Sequence, residues 1–123
     1  MSMDTYRLLA DTICVKFPST PVHRRSDPAA FPHSLPLDHT ATFFEYVVVD
    51  GKRYYASRLV GWNKSSFVHV VIPGSSPTDA YGEMLEVFQF DQDFRQAGCP
   101  MWFAHVRWFK PWSGERESIW DNL

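Results

Sequence analysis

The run from Met101 to Trp112, with the sequence MWFAHVRWFKPW, constrains the fold more than any other segment. Side chains of a β-strand alternate between two faces, and in Trp102–Lys110 the even-numbered positions, 102 to 108, are all apolar. The odd-numbered positions carry aromatic and cationic side chains: Phe103, His105, Arg107 and Phe109. Pro111 cannot donate a hydrogen bond to a neighbouring strand, so we expect the strand to end before it. The segment therefore predicts an apolar core face and an aromatic, cationic face, a surface that favours binding over catalysis.

Four further strands are predicted upstream of this segment. They are Phe43–Val49, Lys52–Val60, Phe67–Ile72 and Tyr81–Phe90. Asp50-Gly51, between the first two, is a strong β-hairpin signal, and Gly82 is a candidate for a β-bulge. Ser113–Leu123 is expected to be a tail closed by one helical turn. Five antiparallel strands joined by short turns predict a mainly-β fold, a small SH3-like barrel over residues 41–123.

Residues 1–40 differ from the rest of the chain because they hold five of its nine prolines. This density argues against long helices and central strands. Tyr6–Val15 is the exception, since it can form one short helix or strand. The remainder is predicted to be an extended, proline-rich arm. Two interpretations of it are open: a partly ordered leader, and an arm that packs on the barrel and completes a binding groove.

The composition limits the classes of function. A net charge of −2 argues against a globally basic nucleic-acid binder, although it is compatible with a local basic patch. Cys14 and Cys99 form no CxxC pair, which argues against a zinc ribbon or a redox motif. The histidines are scattered, without the spacing of a metal site. We expect no cofactor, no metal, no membrane span and no signal peptide, and therefore a cytosolic or nuclear location.

The last two predicted strands resemble a known family. Leu85-Glu86-Val87-Phe88 and Val106-Arg107-Trp108-Phe109, with Pro111 close behind, resemble the "ILEIW"-like and "VRVRWFYRP"-like strands of bromo-adjacent homology domains. The resemblance implies non-catalytic recognition of chromatin or protein in the nucleus, where some members read histone tails and some of those use an aromatic cage. A wider set of segments looks like the β-rich C-terminal modules of fungal transposon-derived proteins: Asp50–Tyr55, Gly82-Glu83, Trp102–Phe109 and Ile119-Trp120-Asp121.

Aromatic residues are the first candidate binding residues, because a domain of this size cannot bury all of them. Two or three aromatic faces can hold a methylated ammonium group by cation–π attraction, at about 0.5–2 kcal/mol per contact. Packing in the core is the competing interpretation for each residue. The candidates are Tyr54, Trp62, Tyr81, Phe88, Phe90, Trp108 and Trp112.

A local basic patch is the second candidate site. Its members lie on adjacent predicted strands: Lys52, Arg53, Arg58, Arg107 and Lys110. Such a patch would bind nucleic-acid phosphates or an acidic partner. The competing interpretation is that these cations form ion pairs with the glutamates at positions 45, 83 and 86.

Catalysis has little support in the sequence. Cys99 and His105 would need a third group to orient the base, and none is evident, so we predict no catalytic residues and no enzyme. The sequence predicts a nuclear, non-catalytic interaction module that reads a histone tail or another protein peptide. The alternatives are nucleic-acid binding through the basic patch, and a structural or dimerising domain of a larger transposon-type protein, with Trp102 or Trp112 at the contact. The oligomeric state is left open.

Overall fold

The computed structural model describes residues 1–25, 34–61, 64–72, 78–95, 98–112 and 115–120. The elements are, in chain order, α1 (Met3–Lys16), β1 (Val22–Arg24), β2 (Leu35–Leu37), β3 (Ala41–Phe44), β4 (Tyr46–Val49), β5 (Lys52–Tyr55), α2 (Ser57–Val60), a 3-10 turn (Lys64–Ser66), β6 (Phe67–Ile72), β7 (Thr78–Phe90), β8 (Met101–Trp112) and β9 (Glu115–Trp120). The predicted mainly-β composition is confirmed. Neither α-helix of the described residues is long and apolar enough to cross a membrane.

The chain divides into two compact units. The first contains Met1–Thr42 and Gln89–Met101, and the second contains Phe43–Phe88 and Trp102–Leu123. In the first unit, α1 buries an apolar face that includes Tyr6, Leu9 and Ile13, at helical spacing. The Tyr6 hydroxyl donates a hydrogen bond to the Leu37 carbonyl of β2, and β2 pairs in parallel with β1. The helical alternative for Tyr6–Val15 is correct, whereas an arm packed on a barrel stays a prediction.

A five-stranded sheet dominates the second unit. Its strand order is β3-β7-β8-β9, and β6 also pairs with β7. In the antiparallel β6–β7 pair, Phe67 lies opposite Glu83 and His69 lies opposite Tyr81. One face of the sheet carries the hydrophobic core, whose buried members are Ala56, Ala80, Met84, Val87, Ala104, Val106 and Trp108. The predicted apolar face of β8 is therefore the core face at positions 104, 106 and 108.

The hairpin β4–β5 forms a two-stranded antiparallel sheet of its own. Asp50 and Gly51 at its turn have φ angles of 50° and 78°, the left-handed values that a two-residue turn between twisted strands requires. The predicted hairpin is confirmed. Because β4 and β5 pair with each other, the sheets of the described residues stay open, and the predicted closed barrel is not found there.

Two predicted strands of this region are too long. Phe43–Val49 is divided at Glu45, where the chain leaves β3 for the hairpin, and the Glu45 carbonyl accepts a hydrogen bond from the Ala56 N–H. Lys52–Val60 remains extended only to Tyr55. The next residues form α2, and Gly61, with φ of 83°, ends it by donating its N–H to the Ser57 carbonyl. Ala56 turns into the core at this point, which explains the change of direction.

The C-terminal segment also differs from its prediction. β8 continues through Pro111 to Trp112, with a shift of register against β9 between Arg107 and Trp112; proline is tolerated in strands at such irregularities. Instead of a helical turn, the tail forms β9. The strand is favoured because the Trp108 indole N–H donates to the Ser118 hydroxyl at 2.7 Å, and the ring of Trp120 packs edge-on against Trp108.

The absence of a side chain at Gly82 allows β7 and β8 to lie close together. β7 pairs with β6 in regular register through Gly82, so the β6–β7 pair has no bulge at this position. A Cβ atom there would lie 2.8 Å from both the Arg107 carbonyl oxygen and a Val106 methyl group. Further along, β7 is buried at both odd and even positions, for example at Met84 and Val87, as expected of a strand that is covered on both faces.

Candidate functional site

A cavity of about 410 Å³ lies between the β4–β5 hairpin and the large sheet. We call it the apolar cavity. Its lining residues are Val47, Val49, Tyr54, Val68, His69, Val70, Val71, Met84, Ala104, Val106 and Trp120. Cavities of about 300–1,000 Å³ with mostly apolar walls are typical of binding sites.

The sequence explains why this space is left open. Alternation directs Val47 and Tyr54, which lie opposite each other in the hairpin, towards the core. On the sheet, the small side chain of Ala104 does not reach across to the hairpin. Val71 is 55% exposed and lines the same cavity, so the cavity reaches the surface there.

A second cavity, of about 400 Å³, adjoins the first. We call it the aromatic hollow. Its lining residues are Lys52, Tyr54, Phe67, Val68, His69, Tyr81 and Phe109. Three residues, Tyr54, Val68 and His69, line both cavities. The two cavities therefore share part of their walls, and together they form the candidate site beside β6.

Four rings of the hollow form two pairs that contact each other. Phe67 and Phe109 meet edge-to-face, with centroids 5.2 Å apart, and His69 stacks on Tyr81 at 4.5 Å. Tyr81 and Phe109 are each 55% exposed. Phe67 and His69 lie on the face of β6 that is opposite the core, because strand alternation places Val68 on the core side. An exposed cluster of large apolar side chains is a feature of interaction surfaces.

The electrostatics of the hollow centre on Lys52. The Lys52 ammonium lies 5.1 Å from the centroid of the Tyr54 ring, a cation–π contact. Among the described residues, Lys52 has no carboxylate partner. His69, by contrast, has a hydrogen bond of 2.9 Å between Nε2 and the Asp79 carboxylate. The hollow thus presents one positive charge that nearby side chains do not neutralise.

Two arginines and a buried histidine of the second unit contact carboxylates. Arg107 donates to Glu83 at 2.9 Å, and Arg58 donates to Glu86 at 2.9 Å. The ring nitrogens of the fully buried His105 lie 2.7 Å from a Glu117 oxygen and 3.4 Å from a Glu86 oxygen. We call this set the charged ladder; its members are Arg58, Glu83, Glu86, His105, Arg107 and Glu117. Because Arg58 already neutralises Glu86, this arrangement favours a structural role over metal binding.

The contacts of the ladder change the pKa of Glu83. Burial alone would raise the pKa of Glu83, but the hydrogen bonds from the Ser57 hydroxyl and from Arg107, together with the Arg107 charge, lower the pKa below its ordinary value. Its carboxylate is therefore stabilised in the charged form by folding.

The predicted basic patch is distributed over several environments. Arg58 and Arg107 belong to the charged ladder, and Lys52 lines the aromatic hollow. Arg53, the neighbour of Lys52, stacks over the Tyr46 ring at 4.7 Å and contacts the Tyr55 hydroxyl. The Lys110 side chain lies outside the described part of the structure.

The predicted aromatic candidates also separate. Tyr54 and Tyr81 lie together in the aromatic hollow. Phe88, Phe90 and Trp108 are at most 1% exposed, so they act as core residues. Trp62 and the side chain of Trp112 lie outside the described part. Phe67 and His69 were missed as binding residues, although the alternation of β6 places them opposite the core position of Val68. Phe109, on the predicted aromatic, cationic face of β8, lines the hollow as well.

Comparisons with protein-family models, with curated proteins and with solved structures find no match to this chain.

Proposed function

We propose that this chain is a non-catalytic interaction module that binds an extended protein segment along β6, across the apolar cavity and the aromatic hollow. The observation that carries the proposal is that two neighbouring cavities share the wall residues Tyr54, Val68 and His69. An apolar side chain of the ligand would enter the apolar cavity, and a neighbouring side chain would pack on the exposed rings of the hollow.

The position of β6 supports an extended ligand. Within the described ranges, β6 pairs with β7 alone, so its second edge is open. An open edge offers backbone donors and acceptors to an added strand. Peptide recognition by strand addition takes its affinity from these groups and its specificity from pockets for side chains. Residues of β6 line both cavities, which would supply such pockets.

The proposal retains the class of function that the bromo-adjacent homology resemblance implies, a nuclear reader of a chromatin or protein peptide. The assignment of the sheet and hairpin to the SH3-like architecture of that family is part of the same proposal. The cavity linings agree with binding rather than catalysis, because their described residues are apolar or aromatic apart from Lys52 and His69. The nucleic-acid alternative is weakened by the pairing of Arg58 and Arg107 with glutamates.

A matched pair of valine variants tests the proposal. Val71 lines the apolar cavity and Val48 lines neither cavity, yet both are 55% exposed. Peptides would be selected from a random displayed library against the wild-type chain, and their affinities measured by fluorescence anisotropy. Val71→Glu is expected to weaken binding about tenfold, which corresponds to about 1.4 kcal/mol, while Val48→Glu leaves it unchanged. Failure to select any peptide, or equal losses in the two variants, would overturn the proposal.

A further inference from the structure

We infer that the preferred ligand is an acidic peptide, in which a carboxylate pairs with Lys52 and an adjacent aromatic or aliphatic side chain enters the aromatic hollow. This inference rests on the proposed function, since it names the chemistry of the segment that the site would bind. It commits to an anionic partner, which is the opposite of the cationic, methylated histone tail that an aromatic cage would read.

Charge complementarity is the first argument. The Tyr54 ring holds the Lys52 ammonium at the wall of the hollow, but a ring, unlike a carboxylate, does not cancel its charge. Because Lys52 has no carboxylate partner among the described residues, a ligand carboxylate would gain a charge-assisted hydrogen bond without breaking an existing ion pair. Asp79, the acid that contacts His69 of the hollow, is already hydrogen-bonded to that histidine.

The same charge argues against a cationic ligand. Phe67, Tyr81 and Phe109 expose rings that could attract a methylated ammonium group. That group would then share a hollow of about 400 Å³ with the Lys52 ammonium. Like charges in one partly desolvated site repel each other, so the rings are better matched by an uncharged side chain. An acid beside that side chain in the ligand would then meet Lys52.

Arg53 provides a matched control for Lys52. The two cations are neighbours on β5, and strand alternation sends them to opposite faces of the hairpin. Arg53 stacks over Tyr46 and lines neither cavity. Both residues are exposed, so the same substitution at either position should leave the fold intact, which circular dichroism would verify.

Selection of displayed peptides against three proteins tests the inference. The wild-type chain and Arg53→Glu are expected to enrich peptides with Asp or Glu beside an aromatic or aliphatic residue. Lys52→Glu is expected to lose this enrichment and to select Lys or Arg instead. For one enriched peptide, Lys52→Glu should weaken binding about tenfold. Replacing the acid of that peptide by Ala should remove most of the difference between the two proteins.

The outcomes separate this inference from the proposed function. Peptides that lack acidic residues, tighter binding of a trimethyl-lysine peptide, or equal effects of Lys52→Glu and Arg53→Glu would overturn the inference. The proposed function would survive each of these results if Val71→Glu still weakened binding. A chain that selects no peptide would overturn both.

Discussion

The charged ladder and the aromatic hollow both contain cations, but these cations have different partners. In the ladder the partners are carboxylates, and in the hollow the partner is an aromatic ring. In the ladder, Arg58 and Arg107 each lie 2.9 Å from a glutamate oxygen, and His105 is fully buried between two carboxylates. In the hollow, Lys52 rests on an aromatic ring, and the rings of Tyr81 and Phe109 are more than half exposed. A region that satisfies its own charges stabilises a fold, whereas a region that leaves a charge and apolar surface unmatched is available to a partner.

Separate measurements of the free energy of unfolding and of peptide binding would test this difference between the ladder and the hollow. Substitutions in the ladder should change the free energy of unfolding. Substitutions in the hollow should change binding and leave the free energy of unfolding almost unchanged. The expected effects on stability decrease from the buried centre of the ladder to the rim of the hollow.

The largest loss of stability is expected for His105→Ala. Its removal leaves the Glu86 and Glu117 carboxylates without the imidazole that both contact. Loss of the hydrogen bonds to two carboxylates costs about 1–3 kcal/mol, and the cavity left by the buried ring adds to this, so the expected loss is about 3 kcal/mol. Urea unfolding followed by circular dichroism would measure it. His69→Ala is the control, because the His69–Asp79 pair is exposed and contributes about 1 kcal/mol or less. Similar losses in both variants would contradict the comparison.

The next largest loss is expected for Gly82→Ala. The added Cβ would lie 2.8 Å from the Arg107 carbonyl oxygen, a backbone atom that cannot move without shifting β8. Overpacking of this kind costs about 1–3 kcal/mol. Because Gly82 precedes Glu83, the same shift would weaken the Glu83–Arg107 pair. Urea unfolding measures the loss, and a variant as stable as the wild-type chain would show that the two strands have room to separate.

Local signals predicted much of the fold. Asp50-Gly51 specifies its turn through the positive φ angles that it tolerates, and Phe67–Ile72 combines β-branched residues with turn signals on both sides. Features that depend on distant pairing were missed. β9 forms because Ser118 and Trp120 meet Trp108, and a tail read without that partner looks like a helical turn.

The sequence predicts only part of the candidate site, because the rest depends on contacts between distant segments. Tyr54 and Tyr81 are predicted binding residues, and Phe109 lies on the predicted aromatic, cationic face of β8, whereas Phe67 is predicted only as part of a strand. Alternation shows that a strand has two faces, but it does not show which face another element covers. Phe88 is buried although it was a candidate, because β7 is buried at both odd and even positions, and no local signal reveals this burial.

A smaller effect on the free energy of unfolding is expected when Glu83 is protonated at acidic pH. Its pKa is lower in the folded chain than its ordinary value of 4.5, so the folded state binds this proton less tightly than the unfolded state. Glu83 therefore stabilises the fold above about pH 4.5, and this contribution is lost as the pH falls through the lowered pKa. Unfolding experiments between neutral and acidic pH should show a shallower acid-induced loss in Glu83→Gln. An unchanged slope would mean that Glu83 is not held by Ser57 and Arg107 in solution.

The smallest change in stability is expected at the hollow, and a pair of charge-removing variants measures the contrast directly. Arg107→Gln should cost about 1 kcal/mol, because it leaves the buried Glu83 carboxylate without its cation. Lys52→Gln should change stability by less than about 0.5 kcal/mol, since Lys52 is exposed and has no carboxylate partner among the described residues. Binding of a selected peptide should show the reverse order, with the larger loss in Lys52→Gln. If Lys52→Gln destabilised the fold as much as Arg107→Gln, the cation–π contact with Tyr54 would be a structural interaction, and the hollow would belong with the ladder.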